Sequence, residues 1–177
     1  MDEFGVIFRL DWNSNGWEDK PTSEDIINSK FDYVREKEES YTYFNFNKSE
    51  LIYNNLKYAL IPQITTKTPQ KKPKVCFLIS QKDDETYLVG YIISPEFGVN
   101  KHFEYISNSI KFNVRSHPDN FIKITPVMIN VQDYIPKNKG VGTRGYNYIS
   151  KNNCKDLFKL AHGNTLSSKI LALIRWV

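Results

Sequence analysis

Trp12 stands between Asp11 and Asn13 at the end of an apolar run, and Trp17 follows within a few residues. Further on, Tyr41-Thr-Tyr43-Phe-Asn45-Phe-Asn47 alternates aromatic rings with hydroxyl and amide groups. Aromatic faces stack on planar bases, and a carboxylate or amide reads a base's hydrogen-bonding edge. Asp11, Trp12, Asn13, Trp17, Tyr43 and Asn45 are therefore a candidate base pocket. On a strand, Asp11 and Asn13 face away from Trp12. One strand end supplies both stacking and edge readout only if the following turn rotates Asn13. The competing reading is that Trp12 or Trp17 is simply core.

A second set of residues could hold phosphates. Lys71, Lys72 and Lys74, Lys101 and His102, Arg115, and Lys137, Lys139 and Arg144 lie in segments that also carry glycine, Asn, Ser or Thr donors. Arg144 is singled out because arginine is scarce, 5 residues against 19 lysines, and it sits between Thr143 and Gly145. The net charge of +4 hides an asymmetry: residues 1–60 carry 7 Lys/Arg against 12 Asp/Glu, and residues 61–177 carry 17 against 8. That pattern predicts one basic face able to meet an anionic polymer. Ordinary solvated lysines are the alternative.

Most catalytic signatures fail. There is no Gly-x-Ser-x-Gly, no Gly-x-x-x-x-Gly-Lys and no His-Glu-x-x-His. Gly140-Val-Gly142-Thr-Arg-Gly145 precedes a strand rather than a helix, so it lacks the helix N-terminus that cradles a nucleotide phosphate. A metal-dependent nuclease needs Pro-Asp followed by Asp/Glu-x-Lys. Pro118-Asp119 is present, but Asp133 is followed by Tyr134-Ile135, and Glu18-Asp-Lys20 lacks its first half. Cys76 reads as core packing, and Cys154 as a surface or half-buried bystander at a helix start. His102, His117 and His162 share no ligand spacing with them, so neither a metal nor a cofactor is expected.

These residues must be positioned by a β-rich frame. Gly5–Trp12 is an apolar strand, closed by the Asn13–Gly16 turn. Pro21–Ile27 is a short helix capped by Thr22 or Ser23. The alternation at 31–34 and 41–47 predicts a hairpin or two separate strands, and a further strand lies near Lys57–Thr65. Thr66–Lys74 is a basic, proline-broken loop. The strongest pair is Val75–Ser80 with Tyr87–Ser94, in which Gly90 marks a bulge or a close backbone approach. Then come strands at His102–Ser107, Ser109–Val114, Phe121–Val131 and Tyr146–Ser150. Helices at Asn153–Ala161, capped by Asn152 or Asn153 and stopped at Gly163, and at Leu166–Trp176 follow. The expectation is a single α+β domain over 1–177 with a curved, barrel-like, mostly antiparallel sheet. The apolar close, Ile170–Val177, reads as a domain of a longer protein. No apolar run approaches the roughly 20 residues of a membrane span, and the first residues lack a secretion-signal layout, so a cytoplasmic location is expected.

The order of elements resembles the PUA-like superfamily, which includes EVE and YTH domains. The likeness rests on Arg9-Leu-Asp-Trp-Asn13, the central pair Cys76–Ser80 and Leu88–Ser94 with Val89-Gly90-Tyr-Ile, and Phe121–Val131 running into Asp133-Tyr-Ile-Pro136. It spans most of residues 5–162, and the segment 18–50 exceeds a minimal domain of that type. The resemblance implies a small barrel that binds RNA or modified DNA by flipping a base into an aromatic cage, with Trp12 on its first strand. It further implies a reader attached to the other domains of a restriction motor protein. The expected function is thus non-catalytic nucleic-acid binding, DNA rather than RNA, through a modified or flipped base. The alternatives are a protein-interaction or structural domain with an incidental basic face, or a nuclease with remote metal ligands.

Overall fold

The computed structural model describes residues 4–47, 50–65, 68–137, 139–141, 145–163 and 165–175. Among them are nine strands in two sheets and four short α-helices. β1 (Gly5–Leu10), β4 (Val75–Lys82), β5 (Glu85–Ile93), β8 (Phe121–Met128) and β9 (Asn147–Ile149) form a five-stranded sheet in the order β8-β5-β4-β1-β9. β2 (Ile52–Tyr53), β3 (Leu56–Ala59), β6 (Glu96–Phe103) and β7 (Ser107–Ser116) form the other, ordered β2-β3-β7-β6. Every pairing is antiparallel except β1 with β4, where Gly5 lies opposite Val75 and Leu10 opposite Ser80.

The period-two alternation of β1 and β4 fills two cores at once, because successive side chains leave opposite faces of a strand. Val6, Phe8, Leu10, Cys76 and Leu78 face the second sheet and meet Tyr58, Phe103, Phe112 and Val114. Ile7, Val75, Phe77 and Ile79 face the helical layer and pack with Leu157 and Phe158 of α3 (Lys151–His162) and Ile170 of α4 (Ser168–Arg175). The sheets are not closed into a barrel. The smaller one curls nonetheless, since Lys101 Nζ on its last strand lies 3.8 Å from the ring centre of Tyr53 on its first.

Local chemistry explains most elements. α1 (Ser23–Ile27) starts on a capping box in which Thr22 and Asp25 each bond the other's backbone N–H. β4 and β5 are joined through Asp83 and Asp84, both in the left-handed region at φ 48° and 65°, as a two-residue hairpin turn demands. Pro126 has no N–H to donate and lies in β8, at the edge of its sheet. Gly90 serves both expected purposes. The β5 register shifts between Leu88 and Gly90, and a Cβ there would overlap the Phe46 ring.

Several boundaries differ from the sequence reading. Residues 31–34 and 41–47 are not strands: α2 spans Asp32–Lys37 and a 3-10 turn spans Thr42–Asn45. Asn45 supplies the strand-like pairing through its side chain, donating to Leu60 O and accepting from Leu60 N, both at 2.8 Å. β3 stops at Ala59 because Pro62 opens a second 3-10 turn over Pro62–Thr65. His102–Ser107 is not a strand of its own: β6 begins at Glu96 and a turn over 104–106 leads into β7. α3 is capped by Ser150, whose Oγ accepts from Asn153 N, rather than by either asparagine. Cys154 is fully buried instead of a surface residue, its Sγ occupying the space where a Cβ on Gly5 would stand. Trp176 lies outside the described residues. No helix among the described residues is long and apolar enough to cross a membrane.

Candidate nucleic-acid interface

The six residues expected to form a base pocket do not meet in one cavity. β1 delivers Asp11 inward, 2 % exposed, where its Oδ1 accepts from Thr42 Oγ1 at 2.7 Å. Burial raises the Asp11 pKa, with hydrogen bonds from Ser40 and Thr42 opposing. Asp11 Oδ2 and the buried Tyr33 hydroxyl have no hydrogen-bond partner, and the charge of Asp11 adds to burial in raising the Tyr33 pKa. Asn13 is equally buried and shapes the turn: its Oδ1 accepts from Asn15 N at 2.9 Å and its Nδ2 donates to Asp19 O at 2.8 Å. Trp17, in the left-handed region at φ 58°, is folded back into the core at 1 % exposure. Tyr43 stacks on Phe44 at 4.1 Å and lines a different cleft beside Tyr41 and Pro21. Asn45 is consumed by Leu60.

Trp12 alone of the six lines the larger opening. It is half-buried, edge-on to Trp17 at 5.7 Å and tilted on Tyr87 at 5.4 Å, with Lys82 Nζ over its ring at 5.6 Å. The cleft beside it has a volume of about 530 Å³. Glu24, Asp25, Asp83 and Asp84 outnumber Lys30 and Lys82 along its walls. Asp84 is bonded by Lys30 Nζ at 2.7 Å, and Asp25 by Ser14 N, Ser14 Oγ and Thr22 N at 2.7–3.0 Å. Such a wall repels phosphates. It suits a group that presents N–H donors, such as an exocyclic amine.

The expected cations differ in exposure and in the partners that hold them. Arg115 forms a bidentate pair with Glu96, both bonds at 2.8 Å, which raises the Arg115 pKa and lowers that of Glu96. Lys101 covers the Tyr53 ring, and its neighbour His102 is exposed on β6. Lys71, Lys72, Lys74, Lys137 and Lys139 are all exposed. Arg144 lies outside the described residues.

Two of the basic loops converge although about 60 residues separate them in sequence. Both are fastened to β9, the edge strand of the larger sheet. Lys71 N donates to Tyr148 Oη at 3.0 Å, and Tyr146 Oη donates to Thr68 O at 3.2 Å. From the other loop, Gly140 O accepts from Asn147 Nδ2 at 3.4 Å, and Lys139 O accepts from Gln132 Nε2 at 2.8 Å. Tyr146 and Tyr148 are half-buried and meet edge-on at 5.4 Å, with Phe8 behind Tyr146 at 5.1 Å. The sequence reading passed over these tyrosines. The usable signal was two aromatics at i, i+2 immediately after a basic loop. Trp12 lies elsewhere, because β1 and β4 run parallel from Lys74 toward Lys82. Tyr148 lies opposite Val6, six residues before Trp12, a distance of about 20 Å at roughly 3.3 Å per residue.

The nuclease candidates are occupied by other partners. Glu18 bonds Lys123, Asp119 faces His117 Nδ1 at 3.6 Å, and Asp133 accepts from Asn130 Nδ2 at 3.1 Å. Among the described residues no three His, Cys, Asp or Glu side chains are grouped so as to hold a metal ion. No family model, no curated protein and no solved structure matches the chain.

Proposed function

We propose that this chain is a non-catalytic nucleic-acid-binding domain that holds the polymer's backbone along β9. The observation that carries the reading is the fastening of the 68–74 and 139–141 loops to one aromatic-bearing strand edge. Exposed lysines in the two loops fastened there offer phosphate contacts, and the tyrosine rings offer faces for unpaired bases. A polymer that runs on from β9 for about 20 Å, roughly six base steps, would bring a flipped base to the cleft beside Trp12, whose carboxylates accept from an exocyclic amine. That is the PUA-like part of the proposal, with DNA as the polymer, further domains on the same polypeptide and a cytoplasmic setting.

Anisotropy titrations with labelled single and double strands at 50–300 mM salt test it. Affinity falls with salt, and Lys72→Gln with Lys139→Gln lowers the duplex slope by about 0.9 for each contact removed, alike for all sequences. Trp12→Ala removes stacking worth about 1–3 kcal/mol from a substrate with an extrudable base and leaves other substrates unchanged. Absence of binding at low salt, or an unaltered slope in the lysine variants, sinks the proposal.

One observation favours a protein partner instead. Ile52, Tyr53 and Tyr105 are 44, 49 and 68 % exposed, and Lys101 and Phe103 link the two tyrosines. Binding at that patch would be largely insensitive to salt.

A further inference from the structure

A separate cleft of about 410 Å³ opens between α4 and the paired ends of β4 and β5. Lys74, Ser94, Asn120 and Lys169 line it together with Ile93 and Leu173, and no carboxylate does among the described residues. Neither lysine enters an ion pair among the described residues. Lys169 Nζ donates to the carbonyl of Asp119 at 3.2 Å, while the Asp119 carboxylate faces His117 and the neighbouring groove.

The cleft is rigidly built. The Lys74 backbone is clamped on both sides, donating to Phe4 O and accepting from Ser94 N, each at 2.8 Å. Ser94 is held in the left-handed region at φ 48°, a strained state for a serine that persists where its surroundings impose it. Ser116 Oγ secures it by donating to the carbonyls of Ile93 and Ser94, and Asn120 Nδ2 donates to that same Oγ at 2.8 Å. Asn120 is itself buried.

We infer that this cleft binds a phosphate monoester, with Lys74 and Lys169 as its two cations. Two unpaired lysines match the roughly −2 charge of a monoester better than the single charge of a backbone diester. The apolar wall of Ile93 and Leu173 accommodates the carbon side of the ester. The inference rests on the nucleic-acid reading only for the source of the monoester, which is either a 5′-phosphorylated strand end or a small free phosphate ester, with inorganic phosphate as the probe of the charge site.

The test compares one oligonucleotide carrying a 5′-phosphate or a 5′-hydroxyl, and titrates inorganic phosphate separately while following backbone amide signals. The phosphorylated strand is expected to bind about three- to tenfold more tightly, as two exposed charge contacts allow. The preference disappears in the Lys74→Gln, Lys169→Gln double variant, persists in Lys37→Gln on α2, and shrinks below about pH 6 as the monoester loses its second charge. Inorganic phosphate shifts the Ser94 and Lys169 amide signals in the wild type and not in the double variant. If it does so while neither oligonucleotide binds, the cleft stands and the nucleic-acid reading fails. If the oligonucleotides bind equally and phosphate moves no signal, the nucleic-acid reading survives and the cleft inference is overturned. Shifts that persist in the double variant overturn it as well.

Discussion

Lys57→Met lowers the stability of this domain by about 3 kcal/mol, measured as a shift of the urea midpoint at unchanged slope. Lys57 is 1 % exposed, and its Nζ donates to three backbone carbonyls, Phe44 O and Glu50 O at 3.1 Å and Asn47 O. The ammonium thereby ties the segment that follows the 3-10 turn Thr42–Asn45 to β3, with the Phe121 ring 5.5 Å away. Methionine has a similar length and no donor, so three inward-facing acceptors lose their partner. Each orphaned group carries a desolvation penalty of about 1–3 kcal/mol, reduced wherever water can enter. A loss below about 1 kcal/mol would mean that the carbonyls find water and that the lysine is not a tether.

The pH dependence gives a second readout. Burial lowers the Lys57 pKa from 10.5 to about 8, opposed by the charge of Glu50. The folded value lies below the unfolded one, so between about pH 8 and 10.5 the unfolded chain binds more protons. Stability from this group therefore rises with pH through that window, by up to about 1.4 kcal/mol per unit. The wild-type stability minus that of Lys57→Met rises with it, and tyrosine titration cancels in the difference. A difference that falls instead would show that the carbonyl cage holds the charged form.

Gly90→Val costs about 3 kcal/mol, and Gly90→Ala about 2 kcal/mol. A Cβ at this position lands on Cε1 and Cζ of Phe46 and stands 2.6 Å from the carbonyl oxygen of Ile122 on the neighbouring strand. The ring meets Trp17 edge-on at 6.4 Å, and Trp17 in turn supports Trp12, while a cleft of about 520 Å³ borders the ring as well. The backbone oxygen cannot move without disturbing the β5–β8 ladder. Phe46→Leu, destabilising by itself, should relieve part of the clash, so the double variant with Gly90→Ala loses less than the sum of the single losses. Strict additivity would place the strain at Ile122 alone.

Much of this arrangement was legible in the order of residues. Val75–Ser80 and Tyr87–Ser94 announce themselves because each is an apolar β-branched run bounded by turn residues, and their partner is the next run along the chain. Thr22 and Asp25 declare the helix they cap. Gly90 predicted a bulge or a close approach, and β5 has both. The alternating aromatics at 41–47 misled, because period-two alternation records burial on one side and not backbone hydrogen bonding. Asn45 satisfied that bonding from its side chain. The six expected pocket residues are dispersed for a related reason. The composition of a short window lists groups able to read a base, but whether each points to solvent depends on what packs on it.

Sequence alone determined the strands of the central sheet, the α+β class and the excess of cations after residue 60. These follow from local periodicity and counting. Only the tertiary structure decided which cations are engaged, Arg115 by Glu96 and Lys101 by Tyr53, and which loops share one strand edge. It also buried Lys57, a residue type that composition places at the surface, and chose the core between the two readings open for Trp17. The physical reason is that charge pairing and desolvation act through space. Their partners here come from other segments, 7 to 13 residues away for Lys57, 19 for Arg115 and 48 for Lys101, beyond the few residues that local periodicity spans.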